Sequence, residues 1–304
     1  MSSILTNTSA MTALKSLQST NSAIETTQAR ISTGKQVAEA SDNAAYWSIA
    51  TTMRSDTKAL GTVQDALGLG AAKVDVAYTG INATLDVVDE IKSKLVAASE
   101  PGVDRTKIQS EIGELQNQLT SIAESATFSG ENWLSTDSSA TGYNATKSVV
   151  ASFNRAADGS VSLATIDIDT SSTVLFDASG SATGLLDEAH TDTAVSYTIA
   201  DLDITAGGVD DAVLADMISN VDATLQSLTT AASDLGSSKQ RINMQSEFVG
   251  DLMNAIDRGI GKLVDADMTE ESTRLQALQV QQQLGVQSLS IANGNAQTIL
   301  SLFR

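Results

Sequence analysis

Apolar residues in the last third of the chain repeat with a heptad period. Ile218, Val221, Leu225, Leu228, Ala232, Leu235, Ile242, Val249, Met253, Ile256, Ile260 and Leu263 fall on one a/d register, with Lys239 and Ser246 as polar exceptions. Past Gly259 and Gly261 the register shifts by one. It resumes through Met268, Leu275, Leu278, Leu289, Ala292, Ala296, Ile299 and Phe303, with Gln282 and Gly285 between. A repeat sustained over this many heptads predicts a coiled coil. At 1.5 Å per residue the segment from 268 to 303 would span about 54 Å.

The N-terminal part carries a matching pattern. Met11, Leu14, Leu17, Ile24 and Ile31 step by three or seven, and Ile81, Leu85, Val88 and Leu95 by four, three and seven. Ile108, Ile112, Leu115, Leu119 and Ile122 complete a third amphipathic stretch. Glu100-Pro101-Gly102 separates the second stretch from the third, and Asp104 is placed to cap the third. In the middle the period changes to two. Val161 and Leu163, Ile166 and Ile168, and Val195, Tyr197 and Ile199 alternate with polar residues, which predicts strands. Phe128-Ser129-Gly130 and Asp158-Gly159 predict turns.

The expected fold is mainly α: a long antiparallel helical coiled-coil rod formed by both termini, with a small β-rich insertion in the middle. A monomeric helical bundle with a β insert also fits the pattern. A self-assembling rod fits better, because each apolar stripe is wider than one partner covers.

Charge sharpens this picture. The net charge is −19 at pH 7, which argues against nucleic-acid binding. Residues 131–216 hold 14 acidic and 2 basic side chains, whereas both ends are nearly neutral. Neutral ends suit packing against copies of themselves, and an acidic middle suits a solvated surface. There is no cysteine, which removes disulfides and thiolate chemistry. Met-Ser-Ser-Ile-Leu-Thr-Asn opens without a basic start or an apolar run, so no Sec-type signal and no membrane insertion are expected. On composition alone a cytoplasmic location is expected.

Candidate chemistry is sparse. His190 is the single histidine and cannot form an H-E-x-x-H pair; a solvated loop position is expected for it. Asp167/Asp169 and Asp201/Asp203 read as exposed faces of strands, and Asp265/Asp267 as the start of the terminal helix. None continues as an EF-hand loop. Asn82-Ala83-Thr84 and Asn144-Ala145-Thr146 match the glycosylation sequon by coincidence. No catalytic triad, metal cluster or phosphate loop is present, so no enzyme activity and no cofactor are expected.

The ordered motifs resemble bacterial flagellin. At the N-terminus these are Ile4-Leu5-Thr6-Asn7, Leu14, Leu17, Arg30-Ile31-Ser32-Thr33-Gly34 and Ala40-Ser41-Asp42-Asn43-Ala44-Ala45. Further on come Arg105, Ile108, Glu111-Ile112 and Leu115, then Thr127-Phe128-Ser129-Gly130 with Leu134. The C-terminal part adds Leu235-Gly236-Ser237, Gln240-Arg241-Ile242, Asp265-Ala266-Asp267, Glu270-Glu271-Ser272, Leu275, Gln281-Gln282, Ala292-Asn293 and Ile299-Leu300-Ser301-Leu302. Ala45-Tyr46-Trp47-Ser48-Ile49-Ala50 is most like the flagellins of rhizobia and their relatives.

The sequence departs from the family where Tyr46-Trp47 replaces Gly-Leu and where Gly261-Lys262-Leu263 precedes Val264-Asp265-Ala266-Asp267. It departs again at Asp89–Leu95, which lacks the arginines that an innate immune receptor reads in other flagellins.

The resemblance implies a secreted, extracellular filament subunit that self-assembles into a helical tube serving as a propeller for swimming. It implies an inner-core domain of 1–40 with 264–304, an outer-tube domain of 41–130 with 211–263, and a surface-exposed β-rich domain of 131–210. Subunit packing is expected through Ile4, Met11, Leu14, Leu17, Ile24, Ile31, Leu275, Leu278, Leu289, Ala292, Ile299 and Phe303 in the inner core. In the outer tube it is expected through Tyr46, Trp47, Arg241 and Ile242. The implied partners are further copies of the chain, paralogous flagellins, the type III flagellar export apparatus, an export chaperone, and filament cap and hook-junction proteins. A hook–filament junction protein and a secreted coiled-coil adhesin are the alternative readings.

Overall fold

The computed structural model describes residues 7–179, 183–191 and 195–302. Five helices carry most of the chain: α1 Thr8–Thr33, α2 Ala44–Ala98, α3 Arg105–Ser125, α4 Asp211–Val264 and α5 Met268–Leu302. Among the described residues, eight short strands lie between α3 and α4: β1 Thr127–Phe128, β2 Glu131–Asn132, β3 Ser135–Thr136, β4 Thr146–Arg155, β5 Val161–Asp169, β6 Phe176–Asp177, β7 His190–Thr191 and β8 Ser196–Tyr197. The mainly helical architecture with a strand-containing middle agrees with the sequence pattern. Contacts divide the chain into two units, residues 1–58 with 253–304, and residues 59–252.

In the first unit α1 and α5 run antiparallel. Side-chain caps start the helices where the sequence changes character. Asn7 Oδ1 accepts from the Ala10 N–H, Asn43 Oδ1 from Ala45 and Tyr46, and Asp267 Oδ1 from Thr269 and Glu270. Each bond satisfies an amide that has no partner inside the helix. Gly34 ends α1 at φ 70, a left-handed conformation that glycine adopts without steric cost. The two crossing segments pair there. Gln36 N–H donates to Val264 O at 2.7 Å, and Ala266 N–H to Gly34 O at 3.0 Å. Val37, Ala50, Ile260 and Val264 form the core beneath this crossing, with Trp47 and Met53 packed against it. The register shift seen in the sequence is therefore a helix boundary, since α4 stops at Val264 and α5 starts at Met268.

In the second unit Lys92 pairs with Asp222 and Lys239 with Asp75, which sets the described parts of α2 and α4 antiparallel. One position of the α4 heptad, occupied by Val221, Leu228, Leu235, Ile242 and Val249, is buried at every repeat. Ile81, Val88, Ile91 and Leu95 of α2 and Ile112 and Leu119 of α3 complete the core. Asp104 caps α3 by accepting from the Thr106 N–H at 3.1 Å. Lys94 reaches Glu111 at 2.8 Å, tying α2 to α3, and that contact raises its pKa.

The strands form four two-stranded sheets. Ser129 and Gly130 both have positive φ, 53 and 83, which gives the β1–β2 hairpin a tight type I′ turn. The β4–β5 hairpin buries Val149, Ala151, Ile166 and Ile168, leaving Asp167 and Asp169 exposed at the alternate positions of β5. Arg241 Nη2 donates to Asp167 O at 2.8 Å, and Gln245 Nε2 to Ala151 O at 3.1 Å, so α4 holds the hairpin edge.

Two sequence expectations are corrected. Asp201 and Asp203 are exposed but lie in irregular backbone after β8. Leu202 and Ile204 are buried there because Gln109 stands in for a strand partner. Its Oε1 accepts from Ile204 N–H at 2.9 Å while its Nε2 donates to Leu202 O at 3.0 Å. His190 is not a solvated loop residue: it lies half-buried in β7 with its ring tilted against Tyr197 at 5.9 Å.

Candidate assembly surfaces

The α1–α5 seam is narrow and partly polar. On α5 the covered positions are Glu271, Leu275, Leu278, Gln282, Gly285, Leu289 and Ala292, alternating in steps of four and three. On α1 Ala10, Ala13, Leu17, Asn21, Ile24, Thr27 and Ile31 lie on the covered side. Gln282 Nε2 donates to Asn21 Oδ1 at 2.7 Å, and Asn7 Nδ2 to Ala292 O at 2.9 Å. Arg30 and Arg274 both reach Glu271 Oε1 at 3.2 Å. Gly285 leaves room for Leu17, and a Cβ there would lie 3.2 Å from Leu17 Cδ1.

The expected inner-core residues divide around this seam. Leu17, Ile24, Ile31, Leu275, Leu278, Leu289 and Ala292 are buried or half-buried in it. Met11, 62% exposed, and Leu14, 46% exposed, lie on the flank of α1. Ile4 and Phe303 lie outside the described residues, as do the surroundings of the Ile299 side chain. Of the large apolar residues that α5 exposes, the sequence register singles out Met268 but not Val280, Leu284, Val286 or Ile291. Val280, Leu284 and Ile291, spaced by four and seven, form a stripe on the side of α5 away from α1. Their spacing is visible in the sequence, but the seam residues share the helix and have the more regular period.

The adjacent aromatics have different surroundings. Trp47 packs against the cluster of Val37, Ala50, Ile260 and Val264, whereas Tyr46 is exposed with Ile49 one turn on. Ile242 is fully buried within its own unit, and the exposed Arg241 braces the β4–β5 hairpin. Among the described residues no three His, Cys, Asp or Glu side chains are grouped as a metal ion would require. None of the described helices is long and apolar enough to cross a membrane.

Comparison with known proteins agrees with the motif pattern. Residues 4–139 match the bacterial flagellin N-terminal helical region, and residues 218–303 the C-terminal helical region. Flagellin C of Rhizobium meliloti strain 1021 is 54% identical, with 100% of both chains covered. Flagellin A of Rhizobium meliloti is 44% identical and the flagellin of Brucella melitensis 46%, again with 100% of both chains covered. A crystal structure of Bacillus cereus flagellin is 16% identical, with a TM-score of 0.41 over 62% of this chain and 88% of that one.

Proposed function

Given that the chain belongs to the bacterial flagellin family and is a structural subunit of the bacterial flagellar filament, not an enzyme, we propose that copies join through the outward apolar faces of α1 and α5. The uncovered stripe of Val280, Leu284 and Ile291 on a nearly neutral end of the chain is the observation that supports this reading. Apolar surface that no described part of the chain covers gains about 25 cal/mol per Å² when a neighbouring copy removes it from water.

In this reading Leu17, Ile24, Ile31, Leu275, Leu278, Leu289 and Ala292 hold α1 to α5 within one copy. Met11 and Leu14, with the α5 stripe, pack against neighbours, and Ile4, Ile299 and Phe303 extend the same core. Residues 1–40 with 264–304 form the inner core, 41–130 with 211–263 the outer tube, and 131–210 face outward. Tyr46 supplies a contact between copies in the outer tube, anchored by Trp47 beneath it, and Arg241 and Ile242 support that tube from within the subunit. The subunit is secreted to the cell exterior by the type III flagellar export apparatus. An export chaperone, cap and hook-junction proteins and paralogous flagellins are its further partners.

Such contacts are heterologous, and heterologous contacts that do not close generate open helical polymers. The test is seeded elongation. Purified chain is added to short filament fragments beside a truncation lacking residues 268–304, and both are viewed by negative-stain electron microscopy. Long filaments from the full chain and none from the truncation support the reading. A full chain that binds seed ends without extending them overturns it in favour of a junction protein.

A further inference from the structure

We infer that Met244 and Phe248 of α4 insert into the groove between α2 and α3 of a second copy. This rests on the reading that copies of the chain polymerise. Met244 is 55% exposed and Phe248 59% exposed, one turn apart on the same face of α4. A flexible thioether beside an aromatic ring makes an adaptable apolar knob, and no described segment of the chain covers it. In the same unit a groove of about 540 Å³ is floored and walled by Ala72, Val76, Ala83, Ile122, Ala126 and Phe128. All six are half-buried, so the chain leaves this apolar surface partly open as well.

Three observations favour a second copy as the occupant. The chain is a filament subunit, so its own copies are its neighbours. Knob and groove share no residue, so a one-way knob-into-groove contact is heterologous and extends a polymer where it does not close, whereas knob against knob would close at a dimer. Charges also match beside the two features. Arg241, which also donates to Asp167 O within the chain, stands one turn ahead of Met244, and Asp75 stands on the groove rim. Asp75 already takes Lys239 within the chain, and a second cation adds to that pairing only at close range.

The test measures site-resolved oxidation of Met244 by hydrogen peroxide, read by mass spectrometry, in monomers and in filaments of the wild-type chain. It is paired with elongation of wild-type seeds by Phe248→Ser and Ala83→Glu subunits. Met244 oxidation is expected to slow at least about tenfold on assembly, and each variant to elongate at least about tenfold more slowly, the factor one lost buried aromatic contact gives. Phe248→Ser should keep the wild-type melting temperature, because the ring is already in solvent. Equal Met244 oxidation in monomer and filament, or normal elongation by both variants, overturns the contact and leaves the filament reading standing. Failure of the wild-type chain itself to elongate overturns both.

Discussion

Leu17 of α1 packs into the space left by Gly285 of α5, where an added Cβ would lie 3.2 Å from its Cδ1. That separation decides what the position tolerates. Gly285→Ala adds a methyl that the flexible end of Leu17 can yield to. It also gains helix propensity of about 1 kcal/mol, so it should leave stability unchanged or slightly raised. Gly285→Leu cannot be accommodated that way. Overpacking typically costs about 1–3 kcal/mol, and the pair should lose helicity in thermal melts followed by circular dichroism. A Leu variant as stable as the wild type would show that the seam is looser than drawn.

Gly70 plays the corresponding role under the β4–β5 hairpin. A Cβ there would meet Val149 Cγ1 at 2.4 Å, and Val149 is held stiffly by its branched side chain and its pairing with Ile166. The clash exceeds the propensity gain, so Gly70→Ala should destabilise the subunit by about 1–3 kcal/mol. Combining it with Val149→Ala should recover part of the loss. A double variant whose loss is the plain sum of the two single losses would contradict direct contact.

Gln109 takes the part of a strand edge for Leu202 and Ile204. Gln109→Leu removes both bonds; the Leu202 carbonyl keeps Gln116 Nε2 as a donor at 3.1 Å, but the Ile204 N–H is left unpaired, at about 1–3 kcal/mol. Gln109→Glu keeps the acceptor for Ile204 but turns a carboxylate towards the Leu202 carbonyl, and should be no better. Amide hydrogen exchange at Ile204 is the readout, expected to accelerate in both variants. Unchanged protection would mean the loop is held by other contacts.

Asp177 is expected to contribute to the acid stability of the strand region, alongside Asp158 and Asp169, whose carboxyls are also lowered. Burial opposes its ionisation, but donors from Ser138, Thr183 and Ser179 outweigh that and hold its carboxyl well below the usual range. A folded-state pKa below the unfolded value of about 3.9 contributes stability that is complete above that value and is lost as pH falls below it. Subunit stability should therefore be insensitive to this group from pH 7 to about 4 and decline below. Asp177→Asn should cost about 1–3 kcal/mol at pH 7 and flatten the acid limb of a urea-midpoint profile. A variant with the wild-type acid limb would remove Asp177 from this role.

Much of this architecture is legible in the sequence. Val221, Leu228, Leu235, Ile242 and Val249 are of one chemical kind at one spacing, so a single buried line of α4 shows through directly. The shift past Gly261 coincides with a real break, since α4 stops at Val264 and α5 starts at Met268. The alternation at Ile166 and Ile168 marks a strand for the same reason.

Other features depend on partners that spacing does not reveal. Asp201–Ile204 alternates as a strand does, since any extended segment with one covered face must, whether its partner is a strand or the side chain of Gln109. Met11 and Leu14 share a helical period with Leu17, yet lie off the seam, where Ala10 and Ala13 take the covered positions instead. Tyr46 and Trp47 are neighbours in sequence, but the helix turns them about 100° apart, and only one can face the crossing-segment core.

The stripe of Val280, Leu284 and Ile291 is expected to join copies of the chain. The most direct measurement is an electron cryomicroscopy reconstruction of wild-type filaments at side-chain resolution. These three side chains should lie within about 4.5 Å of apolar atoms of another copy. Finding them turned to solvent along the filament channel, with no apolar atom of a neighbour in reach, would contradict it.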